Sequence, residues 1–436
     1  MSKRKYKATK IQDLDPTKLL AKIDASKVIV AIDVAKTLFY AAIVDDSGKR
    51  HQIVKWSHPT ESGEFLALVR QLKDAERAVE VVMEPTGVYG DAIRASLERA
   101  EISVFRVSPK RVHDAAEVFD GVPSLHDAKA TTLIAKLHLQ GLSEPWPLEP
   151  EHRRRLTASL RILDLHDLEV ERNRGRLEAL LARYWPGVSS LLALDSASLL
   201  ELLIEFTGPD RVTKQSDEAR VFLRKVGGHF LTDEKIEAVL ESARSQLGVP
   251  ELVEERLLVR ETAAELRRHQ KAARRAKARV EKIAVENESA TQAMAEIIGK
   301  TTAAILVAGV GAPTQYGSAR AYVKALGLNL KVRSSGNSKG ALHITKRGPG
   351  VARRYLYLAV LRMVQRDPVF RAWYASKCSR DGGHKQRALI ALMRKLASAM
   401  WHVSRGITFD SELLFDVTRL NVTPTQDSEV SSPSTS

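Results

Sequence analysis

Between residues 28 and 140 the chain reads as three strands, a helix, a strand, a helix, a strand and a helix, and few folds accept that order. Val28 to Asp33 (VIVAID) is a short apolar run ending in an acid. LFYAAIVDD and HQIVKW follow, joined by a Ser47-Gly48 turn, so the second and third strands are predicted to form a hairpin. Thr60 to Leu72 has helical spacing, with Phe65, Leu68, Val69 and Leu72 apolar. Ala78 to Met83 (AVEVVM) is a fourth strand that runs straight into Glu84-Pro85-Thr86-Gly87. Pro85 ends it, and Thr86 is predicted to cap a helix through about Ala100. Ser103 to Val107 is a fifth strand, a loop with Pro109, Gly121 and Pro123 follows, and Leu125 to Gln140 is helical. A hairpin and crossovers in one sheet imply a mixed sheet in an α/β layer architecture.

The strand ends carry the chemistry. Asp33 closes the first strand and Glu84 closes the fourth. If those strands lie side by side, two carboxylates meet at one edge, and like charges at close range repel. A divalent metal neutralises them, and paired Mg²⁺ ions about 3.5–4 Å apart can activate the attacking oxygen and stabilise the leaving one in phosphodiester cleavage. Asp127, near the start of the last helix, is placed to supply a third acid. It can equally serve as a helix N-terminal charge.

Beyond residue 150 the pattern turns helical. Glu151 to Tyr184 is long, Leu-rich and Arg-rich, and stops at Trp185-Pro186-Gly187. Glu251 to about Glu286 places Leu252, Val259, Leu266, Ala273 and Val280 seven residues apart, although Arg256 and Lys277 interrupt the companion positions. A coiled-coil arm and a bundle that packs its own core both fit, with Val188 to Val249 as a compact helical insert. From Ile297 two apolar helices flank Gly309-Val310-Gly311-Ala312-Pro313. The segment KVRSSGNSKG, a strand-like ALHIT, the turn KRGPG and the helix VARRYLYLAVLRMV follow. Expected domains are 27–145, 150–290 and 295–405, with a disordered tail at 423–436.

Charge is concentrated in the third of these. The whole chain carries +15, and Tyr316 to Ser404 alone holds 18 Lys and Arg against Asp367 and Asp381. A solvated face mixes both signs, so this segment is expected to meet phosphates, through residues such as Lys331, Arg333, Lys346, Arg347, Arg353 and Arg354. No run of about 18 apolar residues exists, so no membrane helix is expected. The N-terminus lacks the apolar stretch of a secretory signal. The lone Cys378 leaves no disulfide within the chain and suits a reducing, cytoplasmic, nucleoid-associated setting.

Asp33 in AIDVAK, Glu84 in MEPTGVYG, Asp127 in PSLHDAKATTLIAKL and the distal SSG…ITKRGPGVARRYLYLA together resemble the DEDD transposases of bacterial insertion sequences. The resemblance covers about 27–145 and 295–400. It implies an RNase H-like (RuvC-like) N-terminal domain, a coiled-coil linker and a mainly helical C-terminal transposase domain. It further implies that Asp33, Glu84 and Asp127 bind Mg²⁺, and that a C-terminal serine forms a covalent phosphoserine link with DNA. Ser335, before Gly336, takes that role, with Ser334 and Ser338 as neighbouring rivals and Lys331, Arg333 and Lys339 as charge stabilisers. Partners implied are element-end and target DNA, a structured guide RNA, and further copies in a homodimer or homotetramer that joins the acids of one subunit to the serine of another.

One departure stands out. The family shows two aspartates three apart on the helix after the fifth strand. Here Asp127 pairs with Ala130 in one alignment and with Ser124 in the other, so one acid is missing unless Asp120 substitutes. His113 and His126 are expected to make solvent or phosphate contacts. Two other functions remain open at this level: a metal-dependent junction resolvase that uses water, and a non-catalytic nucleic-acid-binding protein.

Overall fold

Alternate residues of the first long strand are buried on opposite faces, and the sheet grows outward from it. In the computed structural model, which describes residues 6–119, 121, 125–245, 247–332 and 342–420, the chain divides into units Met1–Pro150 and Glu151–Ser436. The first unit runs β1 (Thr9–Lys10), α1 (Pro16–Leu20), β2 (Lys27–Asp33), β3 (Leu38–Asp45), β4 (Arg50–Ser57) and α2 (Ser62–Asp74). It continues with β5 (Ala78–Met83), α3 (Asp91–Arg99), β6 (Ser103–Arg106), α4 (Pro109–Ala115), α5 (Asp127–Leu139) and β7 (Glu144–Pro145).

The sheet order is β1-β4-β3-β2-β5-β6-β7. β2, β3 and β4 are antiparallel neighbours, whereas β2, β5 and β6 are parallel. Val28, Val30 and Ile32 pack with Phe65, Leu68, Leu72 and Leu97 of α2 and α3 on one face. Ile29 and Ala31 pack with Val112, Leu133 and Ile134 of α4 and α5 on the other. A strand covered on both faces must read as a continuous apolar run, and VIVAI does. This mixed, helix-covered sheet fits the RNase H-like expectation.

Three local readings change. Pro109–Ala115, expected as loop, is α4; Pro109 sits in its first turn, where a missing N–H costs nothing. The helix after β5 starts at Asp91 rather than at Thr86. Gly87 turns the backbone through φ +59°, and Asp91 N–H bonds Val88 O at 3.1 Å. The edge strands β1 and β7 escape sequence reading because two residues show no periodicity.

In the second unit α6 (Glu151–Tyr184) is followed by α7 (Val188–Leu191), α8 (Ala197–Phe206), α9 (Pro209–Lys214), α10 (Ser216–Gly227), α11 (Asp233–Arg244) and α12 (Val253–Asn287). α6 and α12 run antiparallel against each other. Leu177 and Leu181 share a core with Val259, Ala263 and Leu266 at one end. Leu156, Leu160 and Leu163 meet Ala276, Val280 and Ile283 at the other. Of the five residues spaced by seven, Val259, Leu266, Ala273 and Val280 are buried, while Leu252 caps α12 and is exposed. The helices α7–α11 pack on the Leu177 end.

Beyond α12 come α13 (Ala290–Ile298), α14 (Lys300–Val310), α15 (Ala319–Ala325), β8 (Leu330–Val332), β9 (Leu342–Ile344), α16 (Gly350–Arg366), α17 (Pro368–Arg380) and α18 (Lys385–Val403). α13–α18 enclose a core that includes Leu306, Leu356, Phe370 and Leu396. The tail 423–436 lies outside the described residues.

One buried carboxylate belongs to this packing. Glu251, just before α12, lies where a Cβ on Gly208 would stand, and its Oε2 accepts no hydrogen bond among the described residues. Burial pushes its pKa from 4.5 up to about 7, with Arg256 opposing and Asp210 and Glu255 assisting. The folded state therefore binds this proton more tightly than the unfolded chain does. The stability that comes with it is complete below about pH 4.5 and is lost as pH rises through about 7. Thermal unfolding should place Glu251→Gln above wild type at pH 8 and level with it near pH 4.5; an equal gap at both pH values would contradict the account. Gly208→Ala should lower stability by about 1–3 kcal/mol through overpacking.

Candidate active site

Parallel pairing of β2 with β5 carries two acids to one edge of the sheet. Ile32 is level with Met83, the next residue on each strand is the acid, and Glu84 N–H donates to Ile32 O at 3.3 Å. The loop after Glu84 folds down on the strand end, since Gly90 leaves only 3.0 Å between a would-be Cβ and Met83 Cε. Asp127 is the first residue of α5, which packs against β2 and β3. His126 caps that helix through Nδ1, which accepts Lys129 N–H at 3.3 Å, and its ring stands edge-on to Tyr6 at 5.2 Å. A carboxylate at that end of a helix is favoured by the helix dipole.

The electrostatics tie the three acids together. Burial raises the Asp33 carboxyl to about 7, reinforced first by the charge of Glu84 and then by that of Asp127. Burial also raises Glu84. Tyr40, directly across the hairpin from Asp33, has its phenol pushed up by burial and by Asp127 and Asp33. No three carboxylate, imidazole or thiol side chains among the described residues stand close enough to hold an ion as they are. The three acids therefore share an electric field without yet forming a closed ligand set. Hard, uncompensated oxygen donors of this kind suit a hard divalent cation.

Sequence reasoning missed several neighbours of this edge. Tyr40 could have been found from the hairpin register. Val88 and Tyr89, in the loop after Glu84, are 63% and 42% exposed, unusual for an apolar pair. A cleft of about 360 Å³ beside Pro85 is lined by Arg106, Ser108 and Arg111. Ala130 is buried and has no ligating atom, while Asp120 and Ser124 lie outside the described residues. His113 is exposed, 3.6 Å from Asp114.

In the second unit Arg333, Ser334, Ser335, Ser338 and Lys339 lie outside the described residues. The residues on either side are held together, because β8 pairs antiparallel with β9 and Val332 faces Leu342. Lys331, Lys346 and Arg347 are exposed. Arg353 and Arg354, expected on phosphates, have partners within the chain. Arg353 donates to Leu326 O at 3.2 Å and Gly348 O at 2.8 Å. Arg354 donates to Asp164 at 3.3 Å and Asp167 at 2.8 Å on α6.

Comparison with known proteins finds two family matches. Residues 30–186 match the DEDD transposase model of the IS110 type, and residues 296–375 match the "Transposase IS116/IS110/IS902 family". A 43.6 kDa protein of insertion element IS110 from Streptomyces coelicolor is 22% identical over 391 residues, covering 88% of this chain and 95% of the relative.

The crowded acids make a stability test. Asp33 binds its proton more tightly folded than unfolded, so its contribution is complete below about 3.8 and lost as pH rises through about 7. In a chelator, Asp33→Asn should unfold at a higher temperature than wild type at pH 8, with the gap closing towards pH 4. A lower midpoint at pH 8 would mean that the acids do not repel.

Proposed function

This chain belongs to the IS110 family of DEDD transposases and is a DNA transposase, and we propose that it cuts and rejoins DNA through Asp33, Glu84 and Asp127 with Ser335 as nucleophile. The observation that carries the acid assignment is the Asp33 carboxyl at the end of β2, raised to about 7 by burial and by the charges of Glu84 after β5 and Asp127 at the start of α5. Asp33 and Glu84 would hold Mg²⁺ jointly, with Asp127 at the start of α5 as the third carboxylate donor. The metal supplies charge neutralisation of the acids and of the phosphate under attack. Tyr40, beside Asp33, is a hydroxyl donor for a phosphate oxygen.

Ser335 Oγ attacks phosphorus, an O–P bond to the serine forms, and the bond to the leaving strand breaks with a proton delivered to its hydroxyl end. The reverse step, with a hydroxyl end of the second DNA, releases the serine and joins the strands. One phosphodiester is exchanged for another, so no outside energy source is needed. The family resemblance supports the serine, and the β8–β9 pairing supports it by holding both flanks of its segment together. Exposed Lys331, Lys346 and Arg347 flank that segment and suit phosphate. Guidance by a structured RNA, and a dimer or tetramer in which acids and serine come from different subunits, complete the proposal on the strength of the resemblance.

A denaturing gel with labelled element-end DNA tests the reading. Wild type with Mg²⁺ should give a covalent protein–DNA adduct, and Ser335→Ala should abolish both adduct and strand joining. Asp33→Asn should reduce adduct formation by about a hundredfold or more. Cutting that persists undiminished in Ser335→Ala would replace this mechanism with a water-using nuclease.

A further inference from the structure

The second unit carries a groove that none of this uses. It runs between the N-terminal half of α6 and the C-terminal half of α12, encloses about 670 Å³, and is lined by Arg155, Ala158, Ile162, Arg279 and Lys282, with Glu286 at one end. Helical spacing continues the same face to Leu165 on α6 and to Arg275 on α12. Ile162 and Leu165 are 39% and 58% exposed.

What marks this face is the convergence of bases from both helices on one apolar groove. Several other bases on α6 and α12 are matched by acids three residues away, as in Arg172–Glu169, Arg174–Glu171 and Arg268–Glu265. Those pairs describe a face at rest in water. Arg155, Arg275 and Arg279 make no ion pair or side-chain hydrogen bond among the described residues, and Lys282 meets Glu286 only at 4.0 Å. Four cations thus rim a shallow apolar floor with one acid between them. An apolar docking helix would not call for the cations, and a solvated face would not leave the leucine and isoleucine bare.

We propose that this groove is a second DNA-binding surface, on which the backbone phosphates of a duplex lie along Arg155, Arg275, Arg279 and Lys282. Its lining comes from α6 and α12 and not from the basic segment Tyr316–Ser404, and it reads no sequence, because long flexible bases on one helix face meet phosphates rather than base edges. His166 and His269 join the two helices further along, with Nδ1 atoms 3.0 Å apart. The inference rests on the family's action on DNA and not on the assignment of the acids or the serine.

The test is fluorescence anisotropy of the full chain on an arbitrary labelled duplex of about 30 base pairs, in chelator, over a salt series. Each phosphate contact contributes about −0.9 to the slope of log K against log salt. Arg155→Ala/Arg275→Ala/Arg279→Ala/Lys282→Ala should make the slope shallower by about 3 and weaken binding at least about tenfold. Arg155→Lys/Arg275→Lys/Arg279→Lys should keep the wild-type slope, which excludes a folding defect as the cause. An unchanged slope in the alanine variant overturns the proposal, as does a change seen with duplex RNA and not with DNA. Chelator removes the metal, so failure here leaves the covalent-adduct test standing, and failure there leaves this one standing.

Discussion

The register between β2 and β5 is the constraint on which the site depends. Six consecutive pairs, from Lys27 with Ala78 to Ile32 with Met83, place the two following acids at the same height. Side chains alternate along a strand, so a slip of one residue would send Glu84 to the opposite face and move Val81 and Val82 each into the other core. Val28, Val30 and Val81 are held in one core and Ile29, Ala31 and Val82 in the other, which makes such a slip costly on both faces at once. The apolar core therefore determines where the carboxylates stand.

That placement works against local stability. A carboxyl held at about 7 by burial and by two like charges is a strained group, tolerated because the sheet around it is secure. Its neighbours are of mixed character. Tyr40 carries a hydroxyl, Arg106 and Arg111 line the cleft beside Pro85 while engaged by Glu144 and by Leu142 O, and Val88 and Tyr89 present apolar surface. Asp45, at the hairpin's far end, shows the contrast. It accepts Ser47 Oγ at 2.6 Å, Lys49 N–H at 2.9 Å and a His51 contact at 2.8 Å, so its charge is fully satisfied and does structural duty only.

Much of the first unit was legible because its signals are local. VIVAID and AVEVVM are apolar runs ended by an acid, and the Ser47-Gly48 turn sets the hairpin, with Gly48 at φ +85° as such a turn requires. Strand order allowed Asp33 and Glu84 to be neighbours, and the parallel pairing of β2 with β5 makes them so. What escaped is tertiary. Nothing along the chain announces that the backbone turns through Gly87 before α3 begins, or that Arg354 is engaged by Asp164 and Asp167 from a helix nearly two hundred residues earlier. Basic residues near the C-terminus were read as a single phosphate-binding set because charge is visible in sequence and ion pairing is not. The pairing of α6 with α12 was half legible: their lengths and apolar spacing are plain, but whether the seam meets the same chain depends on the antiparallel return.

The central claim is that Asp33 and Glu84 jointly hold a divalent ion. Crystals of the full chain grown with Mn²⁺ and measured at the manganese absorption edge test it most directly. The account predicts an anomalous peak within coordination distance of carboxylate oxygens from both residues, absent in Asp33→Asn. Manganese bound elsewhere, with neither carboxylate in contact, would contradict it.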